Sequence, residues 1–86
     1  MGTLFEDTAL NEFMEWVATD RKTVKKIKAL IEDIRRNGLS NGTGHPEPLK
    51  YRKGWSRHID HGNRLVYDID DKGNVHILSC KGHYED

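Results

Sequence analysis

Three polar residues in this sequence carry side chains that together suit acid–base chemistry: Glu47, Arg64 and His83. Metal-free cleavage of RNA needs a base that takes the proton from a ribose 2′-hydroxyl. It also needs a fixed cation for the charge that builds on the phosphorane, and an acid for the leaving 5′-oxygen. A carboxylate, a guanidinium and an imidazole suit these three roles in that order.

Each of these three residues also has an interpretation in which it plays no part in catalysis. Glu47, between Pro46 and Pro48, has the setting of a solvated loop acid. Arg64 at a strand end is typical of an ion-paired surface arginine, and His83 near the end of the chain is typical of a frayed polar tip. Residue type alone favours these interpretations, so the catalytic hypothesis needs support from the wider pattern.

The sequence predicts neither a metal site nor a cofactor site. The histidines lack a paired spacing on one element and a second type of ligand: His45, His58, His61 and His76. A single cysteine, Cys80, excludes both an internal disulfide and a cysteine-based zinc cluster, and it suits a reducing cytoplasm. No segment predicts a membrane span or a signal peptide.

Charge is unevenly distributed along a chain whose formal net charge is zero. Residues 1–20 carry a net charge of −5, residues 21–67 carry +8, and residues 68–86 carry −3. An anionic partner responds to the local potential, because salt screens charges beyond roughly 8 Å. The basic middle is therefore a candidate RNA-binding region. Within it, three lysines predict either an anion-binding helix face or a merely solvated one: Lys22, Lys25 and Lys26.

Apolar residues at helical spacing predict two helices in the first half of the chain. The first stripe consists of Leu10, Phe13, Met14 and Val17. Asp20 can cap a second helix and Gly38 can end it. The second stripe consists of Val24, Ile27, Leu30, Ile31 and Ile34. The connection between the helices is short, which predicts an antiparallel hairpin with both stripes on a common surface.

Beyond a polar loop over Asn37–His45, the apolar period changes from helical to the alternation of strands. Three segments predict strands: Gly54–Asp60, Arg64–Asp70 and Val75–Lys81. Short Gly/Asn turns between them favour an antiparallel meander, in which Trp55 and Tyr67 are core or half-buried residues. Leu4-Phe5 is a candidate N-terminal edge strand. The predicted fold is α+β, one domain over residues 1–86 with a helix hairpin packed on a twisted antiparallel sheet.

Four short motifs occur in order along this scaffold. They are Pro46-Glu47-Pro48-Leu49-Lys50, Trp55-Ser56-Arg57, Arg64-Leu65-Val66-Tyr67 and Cys80-Lys81-Gly82-His83-Tyr84. Together they resemble the successive signatures of YoeB-type toxins, the Txe/YoeB family of the RelE superfamily. The helix segment Val24-Lys25-Lys26-Ile27 with Arg35-Arg36 is similar too. The resemblance runs from about Glu12 to Tyr84, and four collinear motifs make it specific.

This resemblance implies a microbial RNase fold of the RelE type, with the active site on the sheet face that the helices leave uncovered. It also implies a type II toxin that cleaves messenger RNA in the ribosomal A site, without metal or cofactor, and so inhibits translation. By position, Glu47 matches the family's general base, His83 its general acid, Arg64 its phosphate-stabilising arginine and Tyr84 its terminal tyrosine. Two further positions match basic residues that contact RNA or the ribosome: Lys50 and Arg57.

The partners that the resemblance implies are a YefM-like antitoxin, the ribosome with its messenger RNA, and a second copy in a homodimer. A small chain with few stacking aromatics also suits a ribosome that presents the codon to it. The alternative hypothesis is a non-enzymatic binding module on the same scaffold. Such a module would titrate an antitoxin or block another target, such as gyrase.

Overall fold

Two consecutive helices lie against one face of a five-stranded sheet in the computed structural model, which describes residues 2–82. The elements are β1 (Thr3–Phe5), α1 (Asp7–Thr19), α2 (Arg21–Asn37), β2 (Glu47–Pro48), β3 (Trp55–His58), β4 (Arg64–Ile69) and β5 (Val75–Ser79). The α+β class and the strand meander predicted from the sequence are confirmed.

The sheet has the order β1-β5-β4-β3-β2 and is mixed. Strands β2 to β5 pair antiparallel, whereas β1 pairs parallel with β5, from Thr3 opposite Val75 to Phe5 opposite Ile77. The N-terminal edge strand therefore forms, but the sheet is not antiparallel throughout. Parallel neighbours need a long connection, and both helices and the other strands lie between β1 and β5 in the chain.

Helix α2 begins and ends where the sequence predicts. Asp20 accepts hydrogen bonds from the backbone N–H groups of Lys22 (3.1 Å) and Thr23 (3.2 Å), and Gly38 follows the helix with φ +86°. Three residues of the predicted stripe, Ile27, Leu30 and Ile34, are completely or almost completely buried in the core. Local capping and periodicity are therefore sufficient to locate α2.

Helix α1 forms, but the prediction of its buried face is wrong for three of four residues. Leu10, Met14 and Val17 are exposed, at 46, 55 and 45% of their surface. The core is instead contacted by Ala9, Phe13 and Trp16, which have the same helical spacing shifted by one residue. One residue corresponds to about 100° around a helix. The buried face of α1 is set by its contacts with β5 and α2, and three apolar side chains remain on the surface.

The strand alternation gives the sheet two distinct faces. Leu65, Tyr67 and Ile77 belong to the core beneath the helices, so Arg64 and Val66, which alternate with them on β4, lie on the opposite face. The β4–β5 register shifts at Val66/Tyr67. Among the described residues, no helix combines the length and apolarity that a membrane span requires.

Candidate active site

Two of the three candidate catalytic residues meet on the sheet face opposite the helices. In the strand register, Glu47 of β2 lies opposite Ser56 of β3, and Arg64 of β4 lies opposite His58 of β3. The Nη1 atom of Arg64 lies 3.6 Å from Oε2 of Glu47 and 3.4 Å from Oγ of Ser56. The edge of the sheet thus brings a carboxylate and a guanidinium from separate motifs into contact.

The surroundings of these two side chains differ. Glu47 is 57% exposed, whereas Arg64 is only 19% exposed. The Nε atom of Arg64 is buried and has no hydrogen-bond partner within residues 2–82. A buried donor without a partner is costly, and a guanidinium has five donors in a planar fork that matches phosphate. Arg64 therefore keeps donor capacity for an anion beside Glu47.

A short closed loop fixes the backbone that carries Glu47. Pro46 and Pro48 restrict the chain on both sides of the carboxylate. After β2 the chain returns to β3, and the Leu49 N–H donates to the Gly54 carbonyl at 3.0 Å. Gly54 has φ +132°, and a Cβ there would lie 3.3 Å from the Tyr67 carbonyl oxygen, so a glycine is required for this close approach.

Arg57 does not face the surface, although the sequence suggested an RNA-contacting residue at this position. Its side chain is fully buried on the helix side of the sheet. The guanidinium pairs with the Asp33 carboxylate of α2 and donates to Tyr67 Oη (2.9 Å). It also donates to three backbone carbonyls of the loop after α2, at Gly38, Asn41 and Thr43. We therefore leave Arg57 out of the RNA contacts proposed below.

The same network shifts the pKa of two of its members. Burial works against ionisation of Asp33, but hydrogen bonds from Arg57 and the Thr43 N–H outweigh it and hold the pKa of that carboxyl below its usual value. Burial raises the pKa of Tyr67, whose hydroxyl donates to the Leu39 carbonyl at 2.6 Å. This buried set fixes the loop that leads from α2 to β2 and Glu47.

The remaining predicted residues are not gathered at the Glu47–Arg64 pair. Lys50 is exposed in the loop after β2. Three lysines are exposed on α2, which lies on the other side of the sheet: Lys22, Lys25 and Lys26. His83 and Tyr84 lie outside the described residues. Their neighbour Gly82 is close to the pair, since its carbonyl accepts a hydrogen bond from the Arg64 N–H at 3.0 Å.

Two histidines at this edge of the sheet were not among the candidates drawn from the sequence. His58 lies opposite Arg64, and its ring meets that of His45 edge to face, with centroids 5.7 Å apart. The alternation of β3, in which Trp55 and Arg57 point to the core, was a signal that His58 shares a face with Ser56. Within residues 2–82, no three His, Cys, Asp or Glu side chains are arranged to hold a metal ion.

The motifs and the fold agree with comparisons to known proteins. The family model for the YoeB-like toxin of bacterial type II toxin–antitoxin systems matches residues 5–84. The chain belongs to this family. The toxin YoeB of Escherichia coli (strain K12) is 38% identical to it over 86 residues, which cover 98% of this chain and all of the relative.

Solved structures of YoeB proteins show the same fold. A YoeB dimer from Staphylococcus aureus superposes with a TM-score of 0.91, at 41% identity, over 98% of both chains. A heterotetrameric YoeB–YefM toxin–antitoxin complex from the same species gives 0.88 at 42% identity over 95% of both chains. The family membership expected from the four motifs is confirmed for this YoeB-like chain.

Proposed function

We propose that this YoeB-like toxin is a ribosome-dependent endoribonuclease that cleaves messenger RNA in the A site without a metal ion. The contact between Glu47 and Arg64 supports the proposal most directly, because it joins a proton acceptor to a phosphate-binding group. The contact is an ion pair at 3.6 Å with an exposed carboxylate, and such pairs are weak. An incoming phosphate can therefore displace the Glu47 carboxylate from the guanidinium of Arg64.

In the proposed reaction, Glu47 accepts the proton of a ribose 2′-hydroxyl as its oxygen attacks the adjacent phosphorus. Arg64 stabilises the negative charge that gathers on the nonbridging phosphate oxygens. The bond from phosphorus to the 5′-oxygen breaks, and His83 gives that oxygen a proton. The products are a 2′,3′-cyclic phosphate and a 5′-hydroxyl end, with Tyr84 as a further residue of the site.

The ribosome is the proposed setting because the chain offers little of its own to hold RNA. The Glu47–Arg64 pair occupies a small area at one edge of the sheet. Three exposed lysines lie on α2, on the other side of the sheet: Lys22, Lys25 and Lys26. A ribosome is large enough to contact both regions, and it also presents an unstacked codon. Lys50 is a further exposed base, in the loop that follows Glu47. A toxin that acts on ribosomes works in the cytoplasm.

The proposal is tested by single-turnover cleavage of messenger RNA on programmed ribosomes, in the Mg²⁺ buffer that keeps the ribosomes assembled. We expect Glu47→Gln and Arg64→Ala each to lower the cleavage rate by about 10²–10⁴-fold, the range for loss of one catalytic group. His83→Ala should have an effect of similar size. Asp71→Asn is the control, because Asp71 is an exposed acid in the β4–β5 turn.

The result that would contradict this mechanism is cleavage at the wild-type rate by folded Glu47→Gln and Arg64→Ala proteins. If the wild-type protein binds its antitoxin but never cleaves RNA on ribosomes, the chain is instead the non-enzymatic binding module. Mapping the product ends separates this chemistry from that of a contaminating metal-dependent nuclease, since 2′-hydroxyl attack leaves a 5′-hydroxyl and a cyclic phosphate.

We further propose that a YefM-like antitoxin binds the apolar groove between β1 and the two helices. The groove has a volume of about 500 Å³ and is lined by Phe5, Phe13, Val17, Val24 and Ile31, among others. Its charged lining consists of two bases, Lys28 and Arg35, and one acid, Glu32, so it is basic on balance. The buried hydroxyl of Thr3 in the lining has no hydrogen-bond partner among the described residues. An acidic segment with apolar side chains complements this surface in shape and in charge.

Titration of the toxin with the antitoxin encoded beside it tests this assignment. Val17→Asp places a charge in the groove and should weaken the complex at least about tenfold, whereas Leu4→Asp, at a similarly exposed apolar residue outside the groove lining, should not.

We also propose that the toxin forms a homodimer, which sedimentation of the free protein measures. If Val17→Asp abolishes the dimer and leaves antitoxin binding intact, the groove belongs to the dimer interface.

A further inference from the structure

Helix α1 contacts the C-terminal segment of the described chain through three side chains: Glu15 pairs with Lys81 at 3.2 Å, and Glu12 and Trp16 bond to Cys80. Oε1 of Glu12 accepts a hydrogen bond from the Cys80 N–H at 2.8 Å, and the indole Nε1–H of Trp16 donates to the Cys80 carbonyl at 2.9 Å. Both polar groups of one backbone residue are thus bonded to a helix that lies more than 60 residues earlier in the chain.

The same segment is also held from the side of the sheet. The Gly82 N–H donates to Oδ1 of Asn63 at 2.8 Å, and the Gly82 carbonyl accepts from the Arg64 N–H at 3.0 Å. The thiol of Cys80 is buried in the core and lies 3.5 Å from the Ala9 carbonyl. Cys80 and Gly82 are therefore fixed by α1 on one side and by the start of β4 on the other.

These bonds occur where regular sheet pairing has ended. Strand β5 ends at Ser79, which lies opposite Val66. Beyond that point, Glu12 and Trp16 supply the partners of Cys80 that a strand ladder supplies elsewhere. A carboxylate that accepts a backbone N–H forms a strong, charge-assisted bond. Two side chains of α1 thus determine the path of the chain just before His83.

We propose that Glu12 and Trp16 are positioning residues of the cleavage reaction, which fix the backbone at Cys80 and so the point from which the chain continues to His83 and Tyr84. This inference rests on the proposed endoribonuclease function. Gly82, the last described residue before His83 in the sequence, is bonded to Arg64, so the anchored segment reaches the phosphate-binding residue. Small displacements of catalytic groups reduce rates strongly, whereas substrate binding depends on other surfaces.

The test combines conservative and disruptive variants of the two residues. Trp16→Phe keeps an aromatic ring and removes the N–H, and Glu12→Leu removes the acceptor, whereas Glu12→Gln keeps an oxygen at the same place. We expect Trp16→Phe and Glu12→Leu to lower kcat on ribosomes by at least about tenfold with little change in KM, and Glu12→Gln to recover most of the loss. Hydrogen exchange at the Cys80 amide should accelerate in Glu12→Leu.

Two controls separate positioning from general stability. Asp7→Asn changes another acid of α1, which is exposed, and should leave kcat unchanged. Ile27→Val lowers stability through the core and should not lower kcat at a temperature where the protein is folded. The proposal is overturned if Glu12→Leu and Trp16→Phe cleave at the wild-type rate, or if Ile27→Val of equal thermal stability loses as much activity.

Failure of the proposed function gives a different pattern of results. If the wild-type toxin does not cleave on ribosomes, the endoribonuclease proposal fails, and a role for Glu12 and Trp16 in cleavage fails with it. Protection of the Cys80 amide in the wild-type protein, and its loss in Glu12→Leu, would then show that α1 fixes this segment for another purpose. Unchanged exchange would show that α1 does not fix it at all.

Discussion

Two arginines on neighbouring strands, Arg57 and Arg64, have different environments in this protein. The guanidinium of Arg57 is buried and directs its donors to Asp33, Tyr67 and the loop carbonyls. Arg64, on the other face of the sheet, contacts Glu47 and Ser56 through its side chain, and its buried Nε has no partner among the described residues. The first arginine holds the fold together, and the second remains able to bind a phosphate.

Replacing Arg57 should therefore affect stability before activity. Arg57→Met leaves the Asp33 carboxylate without its cation and three loop carbonyls without a donor, and should lower the free energy of unfolding by about 3–5 kcal/mol. Urea denaturation measures this loss. Arg36→Met is the matched control, because Arg36 is exposed on α2, and should change the value by less than about 0.5 kcal/mol. Equal stability of the two variants would exclude a structural role for Arg57.

Adjacent residues of a strand point to opposite faces, and this explains what the motifs did and did not predict. The motifs selected Glu47 and Arg64 as separate catalytic candidates, and the fold brings their side chains into contact. They also selected Arg57, although the Asp33 that neutralises it is 24 residues earlier in the chain. His58, one residue later, faces the site instead. Charge in the sequence does not reveal which positive residues already have a partner.

At the scale of the elements, the two helices differ in how far their local sequence determines which face is buried. Helix α2 has a cap at Asp20, a glycine after its last turn and one apolar stripe, and all of these were readable from the sequence. Helix α1 has two overlapping apolar stripes, and its neighbours decided which one is buried. The exposed stripe of Leu10, Met14 and Val17 is available to a partner.

The Asp20 cap makes the stability of the helix hairpin depend on pH. Hydrogen bonds from the Thr23 hydroxyl and N–H lower the pKa of Asp20 below its usual value. A lowered pKa means that the carboxylate contributes its stability above the unfolded pKa of about 3.9 and loses it as the pH falls through the folded value. We expect Asp20→Asn to show a smaller decrease in thermal midpoint than the wild type as the pH falls from about 5 to 2.

The comparison is made by differential scanning calorimetry over that pH range. Asn can still cap the helix, so the two proteins should differ in the slope of the midpoint against pH more than in the midpoint itself. Asp71→Asn serves as the control for loss of one acid, because Asp71 is exposed in a turn. Parallel curves for wild-type and Asp20→Asn proteins would show that the cap does not depend on the charge.

At the scale of the whole molecule, a net charge of zero conceals a basic surface. Residues 21–67 carry a net charge of +8, and the fold leaves most of those bases exposed, with Arg57 the buried exception. The acidic first segment uses part of its charge internally, since Glu12 bonds to Cys80 and Glu15 pairs with Lys81. Lys22, Lys25 and Lys26 of α2 are exposed at the surface.

Binding to ribosomes should accordingly weaken steeply with salt. Replacing Lys22, Lys25 and Lys26 together by Gln should make the slope of log K against log salt shallower by about one for each phosphate that these lysines neutralise. Cosedimentation with ribosomes between about 50 and 200 mM salt measures the slope. Lys72→Gln, an exposed lysine in the β4–β5 turn, should leave it unchanged. A triple variant with the wild-type slope would remove α2 from the RNA-binding surface.

The sequence by itself determined the helices, the three main strands and the family, because each depends on short-range periodicity or on a motif. Tertiary structure alone decided that β1 runs parallel to β5, that Leu10, Met14 and Val17 stay exposed and that Arg57 is buried against Asp33. It also decided that Glu12 and Trp16 hold Cys80. The partners in these contacts lie far apart in the chain, and local spacing carries no information about which distant residues will meet.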